Sequence, residues 1–217
     1  MRYGITISAA AAALAMTAVS VAPAAVASEQ LVEEGPDGVS MEIASVNGSG
    51  CPIGSAAAAL SPSNDSFTVT YSRYLAQAGG GSTPTDDRKN CQISFKVHVP
   101  SGYRYAVSSV DYRGYASLQS GANASQLASY YFQGDSRTRE YSHPISGPYD
   151  DDWQHVDATD ASQLVWSPCY EQRNLNINTE LRVDQGSSDP SEVNFIGMDS
   201  TDGNLVTTYH YSWRRCS

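Results

Sequence analysis

The densest run of chemistry-bearing side chains is Asp150-Asp151-Asp152-Trp153-Gln154-His155, followed by Asp157 and Asp160. Carboxylates at this density are hard oxygen ligands of the kind calcium takes, and a tryptophan among them offers a face on which a sugar ring can stack while its hydroxyls meet the carboxylates. The plainer alternative is a solvated acidic turn anchored by a buried Trp153, because the run lacks the Asp-x-Asp-x-Asp-Gly order of a calcium loop. Asp199-Ser200-Thr201-Asp202-Gly203 is a second oxygen-rich turn, with Asp199 and Asp202 as its possible ligands, although Asp-Gly before a strand is first of all a turn signal. No cofactor is required by these readings, and calcium is the ion the acidic runs suit.

Catalytic signatures are weaker. The four histidines, His98, His143, His155 and His210, show no His-Glu-x-x-His spacing, and the nearest approach to a zinc hydrolase is His143 and His155 with the aspartates between them. His98 and His210 fall in the polar rows of strands, where exposure is the usual fate. There is no Gly-x-Ser-x-Gly nucleophile turn. A glycosidase needs only two facing carboxylates, and no pair stands out, so no catalytic residue is assigned. Asn174, Asn176 and Asn178 form an outward row that is either a hydrogen-bonding strip for a ligand or the wet face of a sheet. The fourteen tyrosines, Tyr130-Tyr131 and Tyr209 to Trp213 among them, either pave a binding face or fill a core.

These side chains must be held by strands. Phe67, Val69 and Tyr71 alternate with polar neighbours, as do Ile93, Phe95, Val97 and Val99. Leu175, Ile177, Thr179, Leu181 and Val183 form a cleaner row, and Leu205, Thr207, Tyr209, Tyr211 and Trp213 another. Further strands are expected at Met41 to Val46, Tyr103 to Tyr112, Leu127 to Phe132 and Leu164 to Trp166. No segment keeps a helical period for three turns, and the alanine run Ala56 to Ala59 is too short to count. Two long loops are expected, Ala76 to Asn90 and Gln185 to Asn194. Many short strands at this spacing predict an all-β fold, an antiparallel β-sandwich of jelly-roll or immunoglobulin-like type.

The N-terminus reads as an export signal. Arg2 precedes an uncharged run from Ile5 to Ala22, then Pro23 and the small-x-small sequence Ala25-Val26-Ala27, so cleavage is expected after Ala27. Residues 28 to 40 are acidic and turn-rich and are expected to be a mobile lead, with a single domain from 41 to 217. The mature form carries no membrane anchor on this reading. Four cysteines, Cys51, Cys91, Cys169 and Cys216, suit two disulfides in an oxidising compartment; three connectivities are open, and Cys51 with Cys91 and Cys169 with Cys216 close the shortest loops. The absence of any Cys-x-x-Cys pair disfavours zinc. With a formal charge of −10 and only Lys89 and Lys96 as lysines, the chain lacks the clustered cations that nucleic acid needs.

Gly50-Cys51-Pro52, Asp87-Arg88-Lys89-Asn90-Cys91-Gln92, Tyr130-Tyr131-Phe132-Gln133-Gly134, Gly147-Pro148, Trp166-Ser167-Pro168-Cys169, Leu175-Asn176-Ile177-Asn178-Thr179 and Trp213 before Cys216 occur in this order. Together they resemble a secreted family of bacteria and filamentous fungi known as domain of unknown function 4360, from about Met41 to the C-terminus. Tyr170 after Cys169 departs from the glycine that the resemblance implies. What the resemblance implies is an exported, cysteine-containing protein, and it brings no catalytic residue to this chain. The expectation from sequence is thus a secreted extracellular module that binds a polysaccharide, a protein or calcium, with a hydrolase acting on extracellular polymers through carboxylates as the alternative.

Overall fold

A strand that alternates apolar and polar side chains can bury only one face, so such strands must be stacked in two layers. The computed structural model describes residues 1, 31–32, 34–198 and 206–216. The expected cleavage site after Ala27 lies outside the described residues, as do Asp199, Asp202 and Leu205.

Thirteen strands are found among the described residues: β1 (Leu31–Val32), β2 (Ser40–Asn47), β3 (Ala56–Leu60), β4 (Ser66–Tyr71), β5 (Leu75–Ala78), β6 (Arg88–His98), β7 (Tyr103–Leu118), β8 (Asn123–Phe132), β9 (Arg139–Ser146), β10 (Tyr149–Ala158), β11 (Leu175–Asp184), β12 (Asn194–Gly197) and β13 (Thr207–Arg215). They form two antiparallel sheets packed face to face. One holds five strands in the order β2-β6-β11-β8-β9. The other is organised around the long β7, which pairs with β13 along its first half, with β12 near its end and with β10 on the opposite side; β3, β4, β5 and β1 complete it.

The four clearest rows of the sequence lie in β4, β6, β11 and β13, with their apolar members facing inward. Most tyrosines fill the core. Phe67 stacks on Tyr209 at 4.7 Å between centroids, and Tyr105 meets Phe132, Tyr211 and Trp213. Rings of this size buried between sheets stabilise the fold by roughly 1.5 to 3 kcal/mol each relative to exposure. The Cys51–Cys91 and Cys169–Cys216 disulfides add staples at sequence separations of 40 and 47. Closing loops of that length contributes about 4 kcal/mol apiece through the unfolded chain.

Some expectations need correction. Leu164 to Trp166 is no strand: a 3-10 turn at Ala161–Gln163 leads into irregular chain, and Trp166 lies beneath the guanidinium of Arg214, 4.4 Å from its ring centre, which holds it by cation–π attraction without a ladder. The Ala56 run is strand β3 because the polar-backed β4 offers it an edge, so pairing overrides alanine's own preference. Within residues 28–40, Leu31 and Val32 pair with Arg214 and Trp213 of β13, and Ser40 opens β2. The loop expected from Ala76 to Asn90 begins inside β5 and ends inside β6, which leaves residues 79–87 as the connection.

Candidate functional site

The acidic run that dominated the sequence is not a turn but strand β10, an edge strand paired with β7 throughout its length. Successive side chains on a strand leave by opposite faces, so Asp150, Asp151 and Asp152 cannot converge on one ion. All three are exposed. The Asp150 carboxylate accepts a hydrogen bond from the Tyr115 hydroxyl at 2.8 Å, and Asp151 accepts one from the backbone N–H of Asp152 at 2.8 Å. Trp153 is buried and lies over Gly114 of β7; a Cβ on Gly114 would stand 2.3 Å from the indole ring, so glycine is required for that ring to lie flat.

The odd-numbered positions of β10 face the other sheet, and there the sequence candidates do gather. Trp153 stacks on His155, and His155 stacks on His143 of β9 with ring centres 4.4 Å apart and planes 9° from parallel. Asp157, only 3% exposed, is held from two sides: His143 Nε2 lies 2.6 Å from one carboxylate oxygen, and the Tyr130 hydroxyl donates to the other at 2.5 Å. Since Tyr130 has a single proton and gives it to Asp157, the Tyr112 hydroxyl 2.6 Å away must donate to Tyr130. Burial, together with the neighbouring Asp157 charge, pushes the Tyr130 hydroxyl well above the ordinary phenol value, so it remains a donor. Burial, then the nearby His143, holds the His155 imidazole below its ordinary value. Tyr112 thus donates to Tyr130, and Tyr130 and His143 hold the two oxygens of Asp157, so the arrangement fixes a buried carboxylate from two sides. Among the described residues no three histidine, cysteine, aspartate or glutamate side chains are placed to hold a metal ion.

A different surface is built for ligands. Antiparallel register places residues that lie directly opposite on the same face, and a single row crosses all five strands of the smaller sheet: Asn47 opposite Gln92, Gln92 opposite Asn178, Asn178 opposite Ser129, and Ser129 opposite Glu140. The row spans roughly 19 Å at the usual spacing between strands. Asn90 and Glu180 form the next row, and together with Gln92, Asn178, Ser129 and Glu140 they line a shallow groove of about 380 Å³, with Asn47 extending the row beyond it. The carbonyl oxygen of the Asn178 side chain is buried in the groove wall without a hydrogen-bond partner. Beyond Glu180, Arg88 and Arg182 both donate to its carboxylate. Burial alone would raise the Glu180 carboxyl, but the two guanidiniums outweigh it and pull it below the usual range. Glu180 thus balances one of their two charges. Tyr131 stands on the same outer face opposite Asn176, while Tyr130 beside it points inward.

Sequence reading singled out Asn178 but not Gln92, Ser129, Glu140 or Tyr131 as its neighbours. It named His143 and His155 as a remote pair and gave Asp157 no special part. Their shared parity was a usable signal: Tyr141, His143 and Ile145, then Trp153, His155 and Asp157, each recur every second residue on either side of Gly147-Pro148. Of the other histidines, His98 is exposed beside Gln172, whereas His210 is half-buried with Nε2 2.8 Å from Asp111.

Fold and surface together define a cystine-bonded antiparallel β-sandwich with one polar sheet face left open. Residues 37–216 match the model of the family described as "Domain of unknown function (DUF4360)", and the chain belongs to that family. It is also 34% identical over 182 residues to an "Uncharacterized secreted protein" of the fungus Arthroderma benhamiae, an alignment covering 84% of this chain and 74% of the relative. A secreted relative and two closed disulfides agree in pointing to an oxidising compartment.

Proposed function

We propose that this protein is an extracellular binding module that lays an uncharged, hydroxyl-rich polymer, a polysaccharide, across the outer face of its five-stranded sheet. The observation that carries this reading is the unbroken row Asn47, Gln92, Asn178, Ser129 and Glu140. Amides and hydroxyls both donate and accept, as sugar hydroxyls do, and a strip crossing five strands suits an extended chain better than a compact molecule. Glu180 balances one of the two guanidinium charges of Arg88 and Arg182, Glu140 adds a carboxylate farther along the row, and the chain as a whole is acidic, which favours a neutral ligand over a polyanion. A hydrolase through the acidic run is supported less well, because Asp157, the member of that run that meets a histidine, is buried with both oxygens engaged.

The test is retention of the mature protein on a panel of insoluble glucans, chitin and mannans, with titration calorimetry on soluble fragments of any polymer that retains it. Binding that is lost when Gln92 and Asn178 are both changed to alanine supports the reading. Passage of the wild-type protein through every polymer without retention would sink it.

A further inference from the structure

We propose that the seam between β9 and β10 is a pH-sensitive latch, which loosens in acid when a proton on His155 sets positive charge ring-to-ring against His143. β9 is the last strand of one sheet and β10 an edge of the other: β9 pairs with β8 and β10 with β7, and no ladder joins β9 to β10. Side chains alone close this flank. They are the His143–His155 stack, the His143 bond to Asp157, the Tyr130 bond to Asp157 and the 2.7 Å contact between the Tyr141 and Thr159 hydroxyls.

The groups that face the stack are Tyr141 on β9, Gln126 and Tyr130 on β8, Tyr112 on β7, Tyr209 on β13, and Trp153 and Asp157 on β10. Asp157 is the sole acid in this set, and its two oxygens are already taken by His143 and Tyr130. A positive charge on His155 therefore meets no carboxylate of its own. The Nε2 atom of His155 is buried without a partner, so an added proton there finds no acceptor either.

The sign follows from the depressed basicity of His155. With its folded value held below the ordinary 6.5, the opened chain takes up the proton first. The seam keeps its full stability above about pH 6.5 and loses it as pH falls through the lower, folded value. On the groove reading of function the latch also regulates binding, because Glu140, on the outer side of β9, lines the groove.

Hydrogen exchange followed by mass spectrometry at about pH 7.5 and about pH 5, corrected for intrinsic rates, tests this directly. Protection of β9 and β10 should fall roughly tenfold in acid relative to β6 and β11, and His155→Phe, which keeps a stacked ring that cannot titrate, should abolish the difference. Equal protection of wild-type β9 and β10 at the two pH values overturns the latch, as does an undiminished acid effect in the variant. The wild-type comparison with β6 and β11 stands even if the variant fails to fold. Polysaccharide retention at both pH values separates the two ideas: absence of binding at either pH defeats the groove reading, while the exchange data alone decide the latch.

Discussion

Strand β9 presents His143 to the seam and Glu140 to the groove, and the two sides of this one strand use polar groups in opposite ways. In the seam, both oxygens of Asp157 are engaged by His143 and Tyr130, and Tyr112 donates to Tyr130, so these groups are consumed by their neighbours. In the groove, amides and hydroxyls stand side by side across five strands on an outer face. Closed polar clusters hold a fold together, whereas open ones leave hydrogen-bonding capacity for something else. The side chains most suggestive of catalysis are thus engaged with one another, and on the proposed reading it is the blandest face of the sheet that meets the ligand.

That contrast can be broken by mutation. Asp157→Ala should be the most damaging change, since it leaves His143 and Tyr130 buried without their shared acceptor; a loss of about 3 to 5 kcal/mol in urea denaturation is expected. A milder loss would mean that water reaches the seam. Gly114→Ala comes next, at about 1 to 3 kcal/mol, because the new Cβ would lie 2.1 Å from the Gly197 carbonyl oxygen and press on Trp153. The groove should answer differently. Replacing Gln92 and Asn178 with alanine is expected to weaken polysaccharide binding roughly tenfold or more while moving stability by no more than about 0.5 kcal/mol. Should the double variant instead unfold more easily and bind unchanged, the roles of the two regions would be reversed. Arg88→Ala removes an exposed partner of Glu180, and no measurable shift of the melting midpoint is expected in calorimetry.

Legibility followed the period of the sequence. Rows such as Leu175 to Val183 declared both a strand and its inward face, because a half-buried strand needs an apolar residue at every second position. β9 and β10 did not declare themselves, since their inward faces carry Tyr141, His143, Trp153, His155 and Asp157, a mixture that a hydrophobic pattern does not separate from the polar outward residues. The triple aspartate looked like one site because its members are adjacent in sequence, yet a strand sends adjacent residues apart. Asp157, fourteen residues beyond His143, became its partner only when two edge strands of different sheets met.

The amino-acid sequence by itself determined the class of fold and the outward face of Asn178, because these depend on composition and on a period of two; it left three cysteine pairings open, and the structure closes Cys51 with Cys91 and Cys169 with Cys216. The tertiary structure alone decided which side chains stand beside one another: the row from Asn47 to Glu140 and the ring stack at the seam. Strand order and register bring together residues far apart in the chain. The energies that select them, cross-strand packing and the pairing of buried polar groups, come into being only when the sheets assemble.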